Sequence, residues 1–146
     1  MSKVRSKNTK PEVLVRSTLH AAGFRFRLHR GDLPGTPDIA LPKYRAVVEV
    51  RGCFWHGHPG CGRAPKSNLE FWEPKLRANR ARDLENERLL KNLGWRILVI
   101  WECAISGPKR LSRHDLSQKI TQWLQSDLAA HELSGDDCCA VGSGGG

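Results

Sequence analysis

The run Trp95-Arg96-Ile97-Leu98-Val99-Ile100-Trp101 constrains the fold more than any other stretch of the chain. It is β-branched, compact and almost wholly apolar, and so predicts a buried strand. Its neighbours in sequence read as helices, and the basic one after the hairpin would cover one face of the sheet. Phe71 to Leu93 has a helical period and stops at Gly94, with Trp72, Leu76, Leu84 and Leu90 on one arc and Arg77, Arg80, Arg82 and Arg88 distributed around them. Ser112 to about Leu128 carries Leu116, Ile120, Trp123 and Leu124 at helical spacing. Thr9 followed by Glu12, with Pro11 early in the run, reads as a capping box opening a helix over about Lys10 to Ala22, which Gly23 ends.

Between these helices lie further strands. Asp38-Ile39-Ala40-Leu41 and Ala46-Val47-Val48-Glu49-Val50 flank the turn Pro42-Lys43-Tyr44 and suggest an antiparallel hairpin, while Phe24 to Leu28 alternates like an edge strand. Period-two alternation puts Val47, Glu49 and Arg51 on one face of the second hairpin strand and Val48 and Val50 on the other. The resulting order of helix, strands, helix, strand and helix predicts an α/β fold, a central mixed sheet flanked by helices.

At 146 residues the chain is long enough for one domain with a hydrophobic core, expected over residues 1–133, with a Gly-rich, disordered tail over 134–146. Lysine and arginine number 24 against 15 acidic residues, and the net charge of +9 points to a polyanionic partner, nucleic acid first, although such a charge also serves solubility. No apolar run approaches a membrane span and the N-terminus lacks the apolar stretch of a signal peptide, so the expectation is a cytoplasmic enzyme of bacterial type with no membrane partner. In a reducing compartment the five cysteines read as metal ligands or thiols rather than disulfides.

Two groups of residues carry chemistry. Asp38 and Glu49 come near one another if the hairpin pairs as predicted, and two carboxylates at a sheet end suit a magnesium ion that activates water against a phosphodiester. Arg51, one pleat beyond Glu49, is placed to steady phosphate charge. Pro37-Asp38 followed by Glu49-Val50-Arg51 resembles the PD-(D/E)xK nuclease core with arginine in place of lysine. The competing reading makes Glu49 and Arg51 a same-face ion pair on an edge strand. Downstream, Cys53, His58, Cys61 and Cys103 offer three sulfurs and an imidazole, the donor set of a closed structural zinc site; buried, unligated thiols are the alternative. His56, between those ligands, is a candidate general base that Glu12 could orient, or else another zinc ligand or a surface residue. Phe54, Trp55 and Trp72 are either core aromatics or wedges that enter a base stack.

These residues, in their order, resemble the very-short-patch-repair (Vsr) DNA mismatch endonucleases. The resemblance runs from Arg5-Ser6-Lys7-Asn8-Thr9-Lys10-Pro11-Glu12 through Leu33-Pro34-Gly35-Thr36-Pro37-Asp38 and Gly52-Cys53-Phe54-Trp55-His56-Gly57-His58. It continues through Glu70-Phe71-Trp72, Asn79-x-x-Arg82-Asp83 and Leu93-Gly94-Trp95-Arg96 to Trp101-Glu102-Cys103. It implies a magnesium-dependent nuclease that nicks one strand 5′ to the thymine of a T:G mismatch left by deamination of 5-methylcytosine. It further implies that Asp38 and the Val50 main-chain carbonyl bind magnesium, and that His56 is the base with Glu12 behind it. Cys53, His58, Cys61 and Cys103 would hold zinc, and Phe54, Trp55 and Trp72 would form the wedge. The expected partner is duplex DNA with a T:G mismatch, in a setting that includes mismatch-repair proteins and a cytosine methyltransferase, with the enzyme acting as a monomer.

The family commonly has an aromatic residue at the position of Glu49, and histidine or aspartate at that of Arg51. Glu49 then either adds a metal carboxylate, with Arg51 as a permanent cation beside it, or Arg51 crowds the metal. A restriction-like nuclease acting on unmismatched DNA and a zinc-stabilised DNA-binding protein with impaired catalysis are the alternative functions.

Overall fold

The computed structural model describes residues 10–53, 67–106 and 109–135. Five strands form one mixed sheet in the order of the chain: β1 (Arg27–Leu28), β2 (Ile39–Leu41), β3 (Ala46–Arg51), β4 (Arg96–Trp101) and β5 (Ala130–Leu133). β1, β2 and β3 pair antiparallel, whereas β3 with β4 and β4 with β5 pair parallel. The hairpin register, Ile39 opposite Val48 and Leu41 opposite Ala46, is the one that a turn at Pro42–Tyr44 requires. Parallel pairing of β3 with β4 needs a crossover, and α2 (Leu69–Asn92) lies between them in the chain.

Alternation along the strands divides the core into two layers. Ile39, Leu41, Val48, Leu98, Ile100 and Leu133 pack against α1 (Lys10–Ala21) and α3 (Arg113–Leu124), through Val15 and Leu19 and through Leu116, Ile120, Trp123 and Leu124. Ala40, Val47, Ile97, Val99 and Trp101 form the opposite layer with Leu90 of α2, Trp95, Leu33, Cys53 and Cys103. The β4 core is covered on both faces. Arg96, at the start of that strand, stacks on Trp123 at 4.6 Å and donates to the carbonyls of Trp123, Leu124 and Ser126 at 3.2, 2.9 and 3.0 Å. One guanidinium thereby satisfies the carbonyls left over at the C-terminus of α3.

Several boundaries differ from expectation. The Phe24–Leu28 strand is reduced to Arg27–Leu28, while Phe24 and Phe26 pack as partly buried residues against the α1 layer. The last helix stops at Leu124, and Ala130–Leu133 forms a fifth strand instead of a coil. Those four residues have little strand propensity and only Leu133 is buried, so tertiary pairing with β4 makes the strand. His131 accordingly lies on β5 and not on a helix. On α2, Leu76 and Leu90 are buried but Leu84 is 66% exposed, so Leu84 is not part of the face that the helix buries. The assigned tail begins inside the fold: Gly135 is buried and its N–H donates to Cys103 Sγ at 3.3 Å.

One turn positions the residues that matter most. Gly35 has φ of +78°, and a Cβ there would stand 2.8 Å from Asn86 Nδ2 on α2. Gly35→Ala is therefore expected to cost about 1–2 kcal/mol from the left-handed backbone, with any clash in addition. Thermal denaturation checks this; an unchanged midpoint would contradict it.

Candidate metal centre and its surroundings

Glu12, His29 and Asp38 converge from three elements. Glu12 sits in the first turn of α1 and is 2% exposed, so its carboxylate faces the sheet, not solvent. His29 follows β1 with φ of +46°, and its N–H donates to the Asp38 carbonyl at 3.1 Å, extending the β1–β2 ladder by one step. Asp38 precedes β2, and its Oδ2 accepts from the Val50 N–H at 2.8 Å. That bond ties the carboxylate to the end of β3. One ligand atom from each of the three side chains lies within 4.8 Å of the other two, and His29 Nε2 is 3.2 Å from Glu12 Oε2. Two carboxylates and an imidazole at this spacing fit a divalent cation by the chemistry of their donors.

Glu49 is not in that group. Arg51, 5% exposed, donates to Glu49 Oε1 at 2.8 Å and to Glu87 Oε2 on α2 at 2.9 Å. Burial pushes the Glu49 carboxyl above its ordinary range, against the opposing pull of Arg51. For Arg51 burial acts downward, but the charges of Glu49 and Asp83 and the hydrogen bonds to Glu49 and Glu87 hold the guanidinium above its usual value. The same-face ion pair of the competing reading is thus present, on the central strand of the sheet and not on an edge. Its α2 partners Glu87 and Asp83 escape a sequence reading, although Asp83 lies within the Asn79-x-x-Arg82-Asp83 motif, whose Arg82 donates to Asn79 Oδ1 at 2.5 Å.

Cys53 and Cys103 are both buried in the α2-side layer. The register puts them at matching positions: Arg51 pairs with Trp101, and each cysteine follows two residues later. His58 and Cys61, the other two zinc candidates, lie outside the described residues, as do His56, Phe54 and Trp55. Trp72 is partly buried in the second turn of α2, edge-to-face with Phe71 at 5.0 Å. Val50 is partly buried and packs against the α1-side core.

His29 was no candidate from sequence. Its signal is the β1–β2 register, Leu28 opposite Ile39, which brings the next residue beside Asp38. Only a correct pairing of the shortest strand would have revealed it.

Residues 1–62 match the family model described as DNA mismatch endonuclease Vsr. The chain is 60% identical over 108 residues to the type II nicking enzyme V.XorIIP of Xanthomonas oryzae pv. oryzae, covering 73% of this chain and 79% of that one. It is 34% identical over 135 residues to the DNA mismatch endonuclease Vsr of Escherichia coli, 91% of this chain and 86% of that one. The type II nicking enzyme V.NmeAIP of Neisseria meningitidis serogroup A is 44% identical over 84% of this chain and 87% of its own length. In three dimensions the chain resembles the catalytic domain of the homing endonuclease I-Bth0305I, with a TM-score of 0.51 at 18% identity, over 82% of this chain and all 100% of that domain. This last likeness concerns the fold.

Proposed function

The chain belongs to the Vsr DNA mismatch endonuclease family, and from that premise we propose that it nicks one strand of duplex DNA 5′ to the thymine of a T:G mismatch, starting very short patch repair after deamination of 5-methylcytosine. The enzyme class is an endodeoxyribonuclease. The observation that carries the finer reading is the convergence of Glu12, His29 and Asp38 at the sheet end, with Asp38 tied to Val50, on a chain of net charge +9. In this reading the core is of the PD-(D/E)xK type, and Asp38 with the Val50 carbonyl holds Mg2+. When bound, that ion supplies Lewis acidity toward the phosphate and a lowered pKa for its water.

The chain's own residues do the rest. The Val50 N–H fixes the plane of the Asp38 carboxylate, so that little reorganisation is needed when substrate arrives. His56 takes the proton from attacking water, with Glu12 orienting it. Glu49 and Arg51 enter as an ion network that fastens β3 to α2 beneath the site. Cys53, His58, Cys61 and Cys103 close a structural zinc site, a role favoured by the two buried thiols at matching positions after β3 and β4. Phe54, Trp55 and Trp72 form the wedge that unstacks the mismatch. Acting as a monomer in the bacterial cytoplasm, the enzyme would work alongside a cytosine methyltransferase and mismatch-repair proteins.

Strand-labelled duplexes bearing T:G, C:G or T:A at one position, incubated with and without Mg2+, test the proposal. A Mg2+-dependent nick confined to the thymine strand of T:G is the expected product. Equal cutting of all three duplexes would instead establish a restriction-like nuclease, and binding without cutting would remove the catalytic reading.

A further inference from the structure

His29 has no role in the function just described, yet its imidazole stands beside Glu12 in the centre. Its Nε2 is buried and makes no hydrogen bond among the described residues, although it lies 3.2 Å from Glu12 Oε2. A nitrogen and a carboxylate oxygen at that distance, without hydrogen-bond geometry, repel through their lone pairs unless a proton or a cation stands between them. Adjacent ligands at right angles on an ion with bonds of about 2.1 Å are about 3.0 Å apart, close to the separation seen. Asp38 completes the group, with all three ligand atoms inside 4.8 Å.

We propose that His29 is a direct ligand of the divalent ion, adding to two carboxylates an imidazole that raises the affinity of the site for first-row transition ions such as Mn2+ while Mg2+ can still occupy it. The inference rests on Asp38 being the metal residue of the nuclease, and adds a donor to that site. Magnesium favours oxygen ligands and keeps its waters, whereas an imidazole nitrogen strengthens binding of Mn2+ and the later ions of the row. The backbone is consistent with a built position. His29 adopts φ of +46° while its main-chain N–H bonds the Asp38 carbonyl, so the backbone that carries the ring is fixed beside Asp38.

The test measures ion binding directly on the 146-residue protein, using Mn2+ and Mg2+ as the probes. His29→Asn suits the left-handed backbone and retains an oxygen donor, so it separates the ligand's identity from the fold. The variant is expected to lose about 10-fold in Mn2+ affinity while Mg2+ affinity changes by less than about 3-fold. Pulsed electron paramagnetic resonance of bound Mn2+ is expected to show an imidazole nitrogen coupling in the parent protein that disappears in the variant. Persistence of that coupling, or an Mn2+ affinity that is unchanged or higher, would overturn the assignment; a rise would mean that the imidazole had been a cation facing Glu12. An Asp38→Asn control that binds both ions as the parent does would overturn it as well. Failure of T:G nicking with Mn2+ binding and its nitrogen coupling intact would count against the proposed function and leave the ligand assignment standing.

Discussion

Asp38→Asn is expected to lower the nicking rate on a T:G duplex by a factor on the order of 10³ while the protein stays folded. Asparagine keeps an oxygen that can accept from the Val50 N–H, now at 2.8 Å from Asp38 Oδ2, so the tie between the start of β2 and the end of β3 survives. What disappears is one negative charge among Glu12, His29 and Asp38. The substitution therefore isolates electrostatics from architecture. Single-turnover nicking, read beside a thermal melt, makes the comparison; a variant that nicks within about tenfold of the parent would place the catalytic charge elsewhere.

Arg51→Met carries the largest expected cost in stability. The guanidinium is 5% exposed and lies between Glu49 and Glu87, with Asp83 near enough to raise its pKa. Removing it leaves the carboxylates facing one another with their compensating charge gone. Breaking a buried pair in this way typically costs about 3–5 kcal/mol, against a total of about 5–15 kcal/mol for a domain. A fall in Tm on the order of 10 °C follows. Arg51→Met combined with Glu49→Gln and Glu87→Gln should regain most of that loss, because the penalty belongs to the unpaired charges and not to the missing side-chain volume. If the single variant melted with the parent, the network would be a surface ornament of β3. If the triple variant were no better than the single, packing would be the cause.

Glu49 and Arg51 also mark how far residues read one by one can reach. Strand alternation correctly puts them on the Val47 face, and an ion pair between them is legible from their spacing. Whether that face looks toward the metal residues or toward a helix is a different matter. Glu87 comes from 36 residues further along the chain, and only the packing of α2 on that face brings its carboxylate to Arg51.

The sequence was enough for the layered α/β architecture, because β-branched runs and helical periods each have one economical way to bury their apolar faces. It also determined the hairpin and the family, since motif order survives without coordinates. Tertiary structure alone decided that Ala130–Leu133 is a strand, that Glu12 is buried, and that His29 joins Asp38. Each of these depends on pairing or packing between distant segments, which local propensity does not encode: β5 exists because β4 offers it an edge, and His29 reaches the site because the two-residue β1 happens to pair in register with β2.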